Sequence, residues 1–180
     1  MDMRTADFQQ DFFRLFNLPS RFQIDSTALE QGYLALQAQV HPDKSAHLSE
    51  HERRMAMQWA TRVNEGYQLL RSPLNRARYL LSLHGVDTQE ESNTAMPVDF
   101  LMQQMEWREA LEEARQAKDN TVLAEMERRM QNEVRILQQQ LAADIDETHD
   151  YAAASGIVRK LKFLEKLAEE ISSAFDELDS

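Results

Sequence analysis

Apolar side chains recur along residues 8–84 at the three- and four-residue steps of amphipathic helices. A first cluster predicts a short helix that stops before Pro19, because proline disfavours helical geometry in the residue before it. Its members are Phe8, Phe12, Phe13, Leu15 and Phe16. A second helix can be capped by Asp25 or Ser26 and must end near His41, since Pro42 follows. Its apolar stripe is Leu29, Tyr33, Leu36 and Val40.

Two further helices are predicted before residue 86. One can begin near Ser49, with glutamates favourable in its first turn. Its apolar stripe is Ala56, Trp59 or Ala60, Val63, Tyr67 and Leu70. The other follows Ser72-Pro73 and ends at His84-Gly85, where glycine suits the position after a helix end. Residues 87–96 are polar and aperiodic, which is typical of a linker or an exposed turn.

Three long amphipathic patterns fill the second half of the chain, at about 97–117, 121–143 and 151–178. The second of these carries the stripe Leu123, Met126, Met130, Val134, Leu137 and Leu141. The third carries Ile157, Leu161, Leu164, Ala168, Ile171 and Phe175. Short loops between long amphipathic helices predict an antiparallel three-helix bundle. With only 4 Gly and 4 Pro among 180 residues, the expected class is all-α throughout.

Charge is unevenly distributed over these patterns. Residues 1–86 carry 10 basic and 9 acidic side chains, whereas residues 87–180 carry 10 and 22. The acidic half would repel nucleic acid and an anionic membrane surface, so neither is expected as a partner. The chain has no cysteine, no signal-peptide pattern at its start and no apolar run long enough for a membrane span. We therefore expect a soluble intracellular protein.

The first candidate site is His41-Pro42-Asp43-Lys44, in the turn between two amphipathic helices. Loops held by a rigid helical hairpin are favoured places for recognition residues. From spacing alone, the alternative is an ordinary helix-ending turn with solvated polar residues. Asp43, His47 and His51 recur at four-residue steps, but a zinc site needs three or four converging ligands, and solvated positions are the favoured interpretation.

The second candidate site lies on the helix predicted at 97–117. A helical wheel groups four residues into a core stripe, Phe100, Trp107, Leu111 and Ala114. Six others lie on roughly the opposite side: Leu101, Met102, Met105, Glu106, Glu109 and Glu113. A bundle helix needs only one apolar stripe, so this second face predicts a partner surface with adaptable apolar contacts and selectivity for a basic ligand. The alternative is contact with the linker or the first domain.

Phe163 lies about 120° away from the core stripe of its own helix on the same kind of wheel. It could therefore help to form the partner surface. A phenylalanine inside a wide bundle core is the alternative.

Several motifs of the chain resemble those of a known family. A short helix, an amphipathic helix, His-Pro-Asp-Lys and a longer helix ending in Asn64-Glu65-x-Tyr67-x-x-Leu70 resemble a J-domain. After Pro73, the run Leu74-Asn75-Arg76-Ala77-Arg78-Tyr79-Leu80-Leu81-Ser82-Leu83-His84-Gly85 is similar to the HscB family of iron–sulfur cluster co-chaperones. Residues 158–167 and Phe100-Leu101-Met102 also resemble that family, so that the similarity covers nearly the whole chain after about residue 10.

The resemblance implies two partners. The first is a DnaK-type chaperone ATPase, HscA-like, contacted by His41, Pro42, Asp43 and Lys44. Asp43 would pair with a cation of the partner, while His41 and Pro42 shape the turn. The second is an iron–sulfur scaffold protein, IscU-like, bound by Leu101, Met102, Met105, Glu106, Glu109, Glu113 and Phe163. Met105 stands where leucine is more familiar, a swap of similar volume.

One departure from the family pattern concerns charge. J-domains usually carry several basic residues on the helix before the His-Pro-Asp turn, whereas residues 26–40 here contain no Lys or Arg and only Glu30. Lys44 and Arg21 are the remaining basic residues nearby. Weak long-range steering would lower the association rate more than the specificity.

The expected organisation is a tail at 1–9, a J-domain at 10–84, a linker at 85–94 and an acidic three-helix scaffold-binding domain at 95–180. No nucleophile elbow, phosphate loop or zincin motif is present, so no enzyme activity, cofactor or metal is expected. The resemblance implies a bacterial-type cytoplasmic protein, because the cysteine pair of some eukaryotic relatives is missing. A J-protein for another client and an acidic helical adaptor without an ATPase partner are the alternative functions.

Overall fold

The computed structural model describes residues 7–90 and 96–178, and those residues form helices and connecting turns without a β-strand. The predicted all-α class is confirmed. The helices in chain order are α1 (Phe12–Leu15), α2 (Ser26–Val40), α3 (Pro42–Ser45), α4 (Glu50–Arg71), α5 (Pro73–Leu83), α6 (Val98–Ala117), α7 (Asn120–Ala142) and α8 (Tyr151–Leu178). A π-helical segment, Ala143–Glu147, directly follows α7. Within the two described ranges, no helix is long and apolar enough to cross a membrane.

The chain divides into two compact units, with the division between Leu80 and Leu81, inside α5. The predicted domain limits at residues 10, 84 and 95 stay predictions. The predicted tail at 1–9 and the predicted linker at 85–94 lie partly outside the described residues.

The first unit is built on a hairpin of α2 and α4, with α1 and α3 packed against α4. Asp25 caps α2 by accepting the backbone N–H groups of Thr27 and Ala28. Ser49 and Glu52 form a capping box at the start of α4. The predicted stripes face the interior, and the buried members are Leu29, Leu36, Val40, Trp59, Val63 and Leu70.

Gly85 has φ +73°, the left-handed conformation expected of the residue that follows α5. Its own N–H donates to the Ser82 carbonyl at 3.0 Å, and the Val86 N–H donates to the Leu81 carbonyl at 2.9 Å. These two bonds make the Schellman closure of a helix end and confirm the predicted stop.

The second unit contains α6, α7 and α8, and each pair of these helices is in contact. Lys118, with φ +50°, ends α6, and Asp119 caps α7 immediately afterwards. His149, with φ +54°, and Asp150 make the turn into α8. Such short reversals produce the antiparallel three-helix bundle that the sequence predicts.

Candidate functional site

The His41-Pro42-Asp43 turn occupies the tip of the α2–α4 hairpin. His41 takes an extended conformation, φ −59° and ψ 137°, as expected before a proline, and Pro42 starts the four-residue helix α3. The backbone N–H of Asp43 donates to Nδ1 of His41 at 3.3 Å, so the imidazole caps α3. Accepting this bond requires an unprotonated Nδ1, which leaves the neutral ring with its proton on Nε2.

The two ionisable side chains of the turn point into solvent. The side chain of His41 is 59% exposed and that of Asp43 is 91% exposed. A carboxylate oxygen of Asp43 lies 3.4 Å from Nδ1 of His41. Lys44 is also exposed, while its backbone N–H donates to the His41 carbonyl at 2.9 Å. The turn therefore exposes one acidic and one basic side chain, and hydrogen bonds within the turn stabilise its backbone.

An aromatic and amide network joins α2 to α4 behind the turn. The rings of Tyr33 and Tyr67 stack with centroids 4.1 Å apart. The Tyr33 hydroxyl donates to Oδ1 of Asn64 at 2.8 Å, and Nε2 of Gln37 donates to the Tyr33 hydroxyl at 2.7 Å. The apolar periodicity of the sequence places the two tyrosines on the facing stripes of α2 and α4. It does not indicate Asn64 and Gln37, because these residues contribute hydrogen bonds and not apolar contacts. The network fixes the two helices that carry the turn.

The second candidate face lies on α6, where the predicted division into two sides is observed. The four residues of the core stripe, Phe100, Trp107, Leu111 and Ala114, are buried. On the other side, Met102 is 57% and Met105 is 71% exposed, whereas Leu101 is half-buried. The three glutamates, Glu106, Glu109 and Glu113, are exposed. The face offers two flexible apolar side chains followed by carboxylates.

Val98 is an addition that the sequence did not single out. It is the first residue of α6 and is 70% exposed, one turn before the methionines. The periodicity of the sequence did not indicate Val98, because it is the first residue of the helix and no turn of the helix lies before it. It lengthens the apolar part of the face toward the N-terminus of α6.

Phe163 lies in the bundle interior, with only 9% of its surface exposed. Its ring packs edge-to-face against that of Phe100 with centroids 5.7 Å apart, and the guanidinium of Arg108 lies 5.6 Å from its centroid. Arg108 in turn donates to the carboxylate of Glu170 at 3.2 Å. The structure therefore corresponds to the core alternative for Phe163, which supports α6 from beneath. Its part in scaffold binding stays a prediction.

In the described part of the chain, no group of three His, Asp or Glu side chains lies close enough together to hold a metal ion. The regularly spaced Asp43, His47 and His51 are all exposed.

Comparisons with known proteins point to one family. A family model described as "HSCB C-terminal oligomerisation domain" matches residues 96–172. Two curated relatives bear the name "Co-chaperone protein HscB homolog". The one from Aromatoleum aromaticum is 53% identical over 176 residues, covering 98% of this chain and 99% of the relative. The one from Chromobacterium violaceum is 56% identical over 172 residues, covering 96% and 97%.

Solved structures agree with the relatives. The chaperone HscB from Vibrio cholerae superposes with a TM-score of 0.83 at 38% identity, covering 94% of this chain and 99% of that one. The human co-chaperone HscB superposes with a TM-score of 0.87 at 29% identity, covering 93% and 83%. The fold is therefore an N-terminal J-domain followed by a C-terminal helical bundle. Near-complete coverage at more than half identity shows that this chain belongs to the HscB family of co-chaperones.

Proposed function

We propose that this protein stimulates the ATPase of a DnaK-type, HscA-like chaperone and delivers an IscU-like iron–sulfur scaffold protein to it, which aids the maturation of iron–sulfur proteins. The observation that carries the proposal is the exposed His41-Pro42-Asp43 turn at the tip of a braced helical hairpin in a member of the HscB family. ATP hydrolysis itself takes place on the chaperone, so this chain is not an enzyme and needs no cofactor. A cytoplasmic location, expected from the sequence, is part of the proposal.

The turn acts as the contact that triggers hydrolysis. The Asp43 carboxylate pairs with a cation of the chaperone, and such a charge-assisted contact gains strength as the interface excludes water. His41 holds the backbone of Asp43 through Nδ1, and Lys44 supplies a neighbouring positive charge. Because these bonds already exist in the free protein, little ordering is required on binding.

The α6 face acts as the scaffold contact. Met102 and Met105 adapt to an apolar patch on the scaffold, and Leu101 completes that contact from its half-buried position. The glutamates, Glu106, Glu109 and Glu113, favour a basic rim on the partner. The proposed boundaries follow this division, with the J-domain at 10–84, the linker at 85–94 and the scaffold-binding domain at 95–180.

Substitutions in the turn test the chaperone contact. His41→Gln and Asp43→Asn should each abolish stimulation in a steady-state ATPase assay with an HscA-like chaperone. The first replaces the imidazole that accepts the Asp43 N–H with a flexible amide, and the second removes the negative charge of the ionic contact. Scaffold binding by the same variants should be unchanged. Normal stimulation by either variant would show that the chaperone is addressed elsewhere.

Substitutions on α6 test the scaffold contact. The double variant Met102→Ala, Met105→Ala should weaken scaffold binding about tenfold or more in calorimetry, since truncation of two interface anchors typically costs over 1 kcal/mol. Val122→Ala is the matched control, because Val122 is 41% exposed on α7, outside the face. Both proteins should stimulate the chaperone equally without scaffold. Equal scaffold affinity of the two variants would exclude α6 as the contact.

Two alternatives are separated by the same assay. A J-protein that serves another client stimulates the chaperone but is indifferent to the scaffold. An acidic helical adaptor without an ATPase partner gives no stimulation in either condition.

A further inference from the structure

The methionines of the described residues differ widely in their exposure to solvent. Met126 and Met130 belong to the buried stripe of α7 and are 3% and 6% exposed, so the bundle shields their side chains. Met102 and Met105 on α6 are 57% and 71% exposed, and Met57 on α4 is 71% exposed. A dissolved reagent therefore reaches the two methionines of the α6 face without any opening of the fold.

Methionine gives the α6 face a chemical property that leucine would not give it. Leucine has a similar volume and an equally good helix propensity, so an apolar contact alone does not require sulfur. A thioether can be oxidised to a sulfoxide, and reductases can reverse that step. The chain contains no cysteine, so no thiol of its own competes for the oxidant.

The carboxylates of the face do not protect the two thioethers. Met102 lies one helical turn before Glu106, and Met105 lies one turn before Glu109, so each sulfur has a glutamate on the same side of α6. A thiol reacts as its thiolate, an anion that neighbouring carboxylates disfavour. A thioether has no proton to lose, and its exposure decides its reactivity. An oxidisable methionine is therefore compatible with an acidic face on which a cysteine would be unreactive.

Oxidation of these side chains changes the partner side of α6 and leaves its buried stripe as it is. A sulfoxide is polar, and its oxygen accepts hydrogen bonds. Leu101 and the ionised glutamates of the face have no side-chain donor to offer it. When an apolar patch of a partner covers the sulfoxide, the oxygen loses its water without gaining another hydrogen bond. Oxidation should therefore weaken binding at this face while the bundle stays folded.

We propose, on the basis of the scaffold-delivery function above, that Met102 and Met105 form a peroxide-sensitive modification site whose oxidation releases the scaffold protein. Each sulfur attacks one oxygen of hydrogen peroxide, so that the O–O bond breaks and an S–O bond forms. The proton of the transferred oxygen passes to the departing hydroxide, which leaves as water. The sulfur is oxidised by two electrons and the peroxide is reduced by two. Delivery stops when the sulfoxides form and resumes when they are reduced.

Peroxide treatment of the full chain tests the site. The protein is treated with hydrogen peroxide and freed of it before an IscU-like scaffold is added, so the scaffold never meets the oxidant. Peptide mass spectrometry should show sulfoxide at Met102 and Met105, while Met126 and Met130 stay reduced. The dissociation constant for the scaffold should rise about tenfold or more in calorimetry, because each buried polar group without a partner costs about fivefold or more. The two methionine sulfoxide reductases should restore the original value.

Two leucine variants assign the effect to its residues. Met102→Leu combined with Met105→Leu removes both sulfur atoms at similar volume, and peroxide should change its own dissociation constant less than about twofold. Met57→Leu removes an equally exposed sulfur atom outside the face and should keep the full loss on oxidation. An equal loss in the double leucine variant, or protection by Met57→Leu, would overturn the proposal.

The outcomes separate this site from the function on which it rests. If the double variant Met102→Ala, Met105→Ala weakens scaffold binding but sulfoxides at both positions do not, the scaffold contact stands and the modification site fails. If the alanine variant also binds normally, the scaffold contact on α6 fails. Stimulation of the chaperone without scaffold should survive peroxide, because residues 41–44 contain no sulfur. Loss of that stimulation, or of helix in circular dichroism, would show that oxidation acts elsewhere and would contradict the proposal.

Discussion

Gly66 lies where α4 passes over the aromatic residues that precede α2. A Cβ atom built at this position would come within 2.6 Å of Cδ1 of Phe12 and 3.0 Å of Cε2 of Phe16. Both rings are buried, and that of Phe12 is further confined by Tyr79, with centroids 5.2 Å apart. The close approach that lets α1 dock on α4 therefore depends on the absence of a side chain at residue 66.

Gly66→Ala should lower the free energy of unfolding by about 1–3 kcal/mol, since overpacking forces buried rings to move. Gly32→Ala is the matched control in α2, because the nearest atoms to its added Cβ are at 3.6 Å. There the alanine should stabilise by about 0.5–1 kcal/mol through its better helix propensity. Urea unfolding of both variants measures the difference, and equal stabilities would show that α1 is not packed as closely as described.

Phe163 shows where a residue-level prediction reached its limit. The helical wheel separates it by about 120° from the stripe of α8, which left a surface role open. Residues around much of α8 are in fact buried, including Ser155, Val158 and Leu167 outside the predicted stripe. A helix that contacts two neighbours buries a wide arc, and a wheel drawn for one stripe cannot give the width of that arc.

Among the elements, two short segments were not foreseen: the helix α3 and the π-helical segment after α7. The helix α3 has four residues, Pro42–Ser45, too few for a 3.6-residue period to be visible. The π-helical segment Ala143–Glu147 continues a helix that the pattern had placed to about residue 143. In contrast, α2, α4, α6, α7 and α8 begin and end within about two residues of their predicted limits, because caps, prolines and long stripes agree.

The π-helical segment carries a carboxyl group in an unfavourable environment. Burial raises the pKa of Asp144, and the nearby negative charge of Asp150 raises it further. The backbone binds the two residues together, with the N–H of Asp150 donating to the Asp144 carbonyl at 2.8 Å. The folded protein therefore holds the Asp144 proton more tightly than the unfolded chain does, and ionisation above the raised pKa costs stability.

Asp144→Asn should raise the urea midpoint at pH 7, because it removes that cost. The gain should shrink as the pH falls through the raised pKa and vanish below about pH 3, where the carboxyl is protonated in both states. Glu147→Gln removes the same charge from an exposed position of the same segment and should change the midpoint less. A gain for Asp144→Asn that is independent of pH would contradict the electrostatic origin.

At the candidate sites, the sequence predicted which charged and apolar side chains are exposed, but it did not predict the contacts between uncharged side chains. The exposure of the methionines and glutamates of α6 could be predicted, because a bundle helix needs only one apolar stripe and this helix has a second face. The open cleft beside the His41-Pro42-Asp43 turn could not be predicted, because its lining residues Leu34, Gln37 and Ala38 form no pattern along the sequence and come together with His41 only in the folded chain. The hydrogen-bond network of Gln37 and Asn64 was invisible for the same reason.

In the molecule as a whole, two surfaces of different character belong to two separate units. The His41-Pro42-Asp43 turn lies in the unit that ends at Leu80, in the half of the chain with nearly balanced charge. The Met–Glu face lies in the acidic half, which starts after residue 86. Under the proposed function, the acidic residues of the Met–Glu face disfavour nucleic acid and non-basic proteins as partners of that face. The proposed function also requires that the two surfaces belong to one chain, because delivery needs the scaffold and the chaperone to be bound together.

The connection can be tested by dividing the two defects between separate chains. An equimolar mixture of Asp43→Asn with the double variant Met102→Ala, Met105→Ala contains one intact copy of each surface, but never both in one chain. Scaffold bound to the first variant is tethered to a turn that cannot trigger hydrolysis, and the intact turn of the second lacks the high effective concentration that a shared chain provides. The mixture should therefore stimulate the ATPase only as far as the double variant alone, with no increase on addition of scaffold. Recovery of the scaffold-dependent increase would mean that the surfaces cooperate without a covalent link.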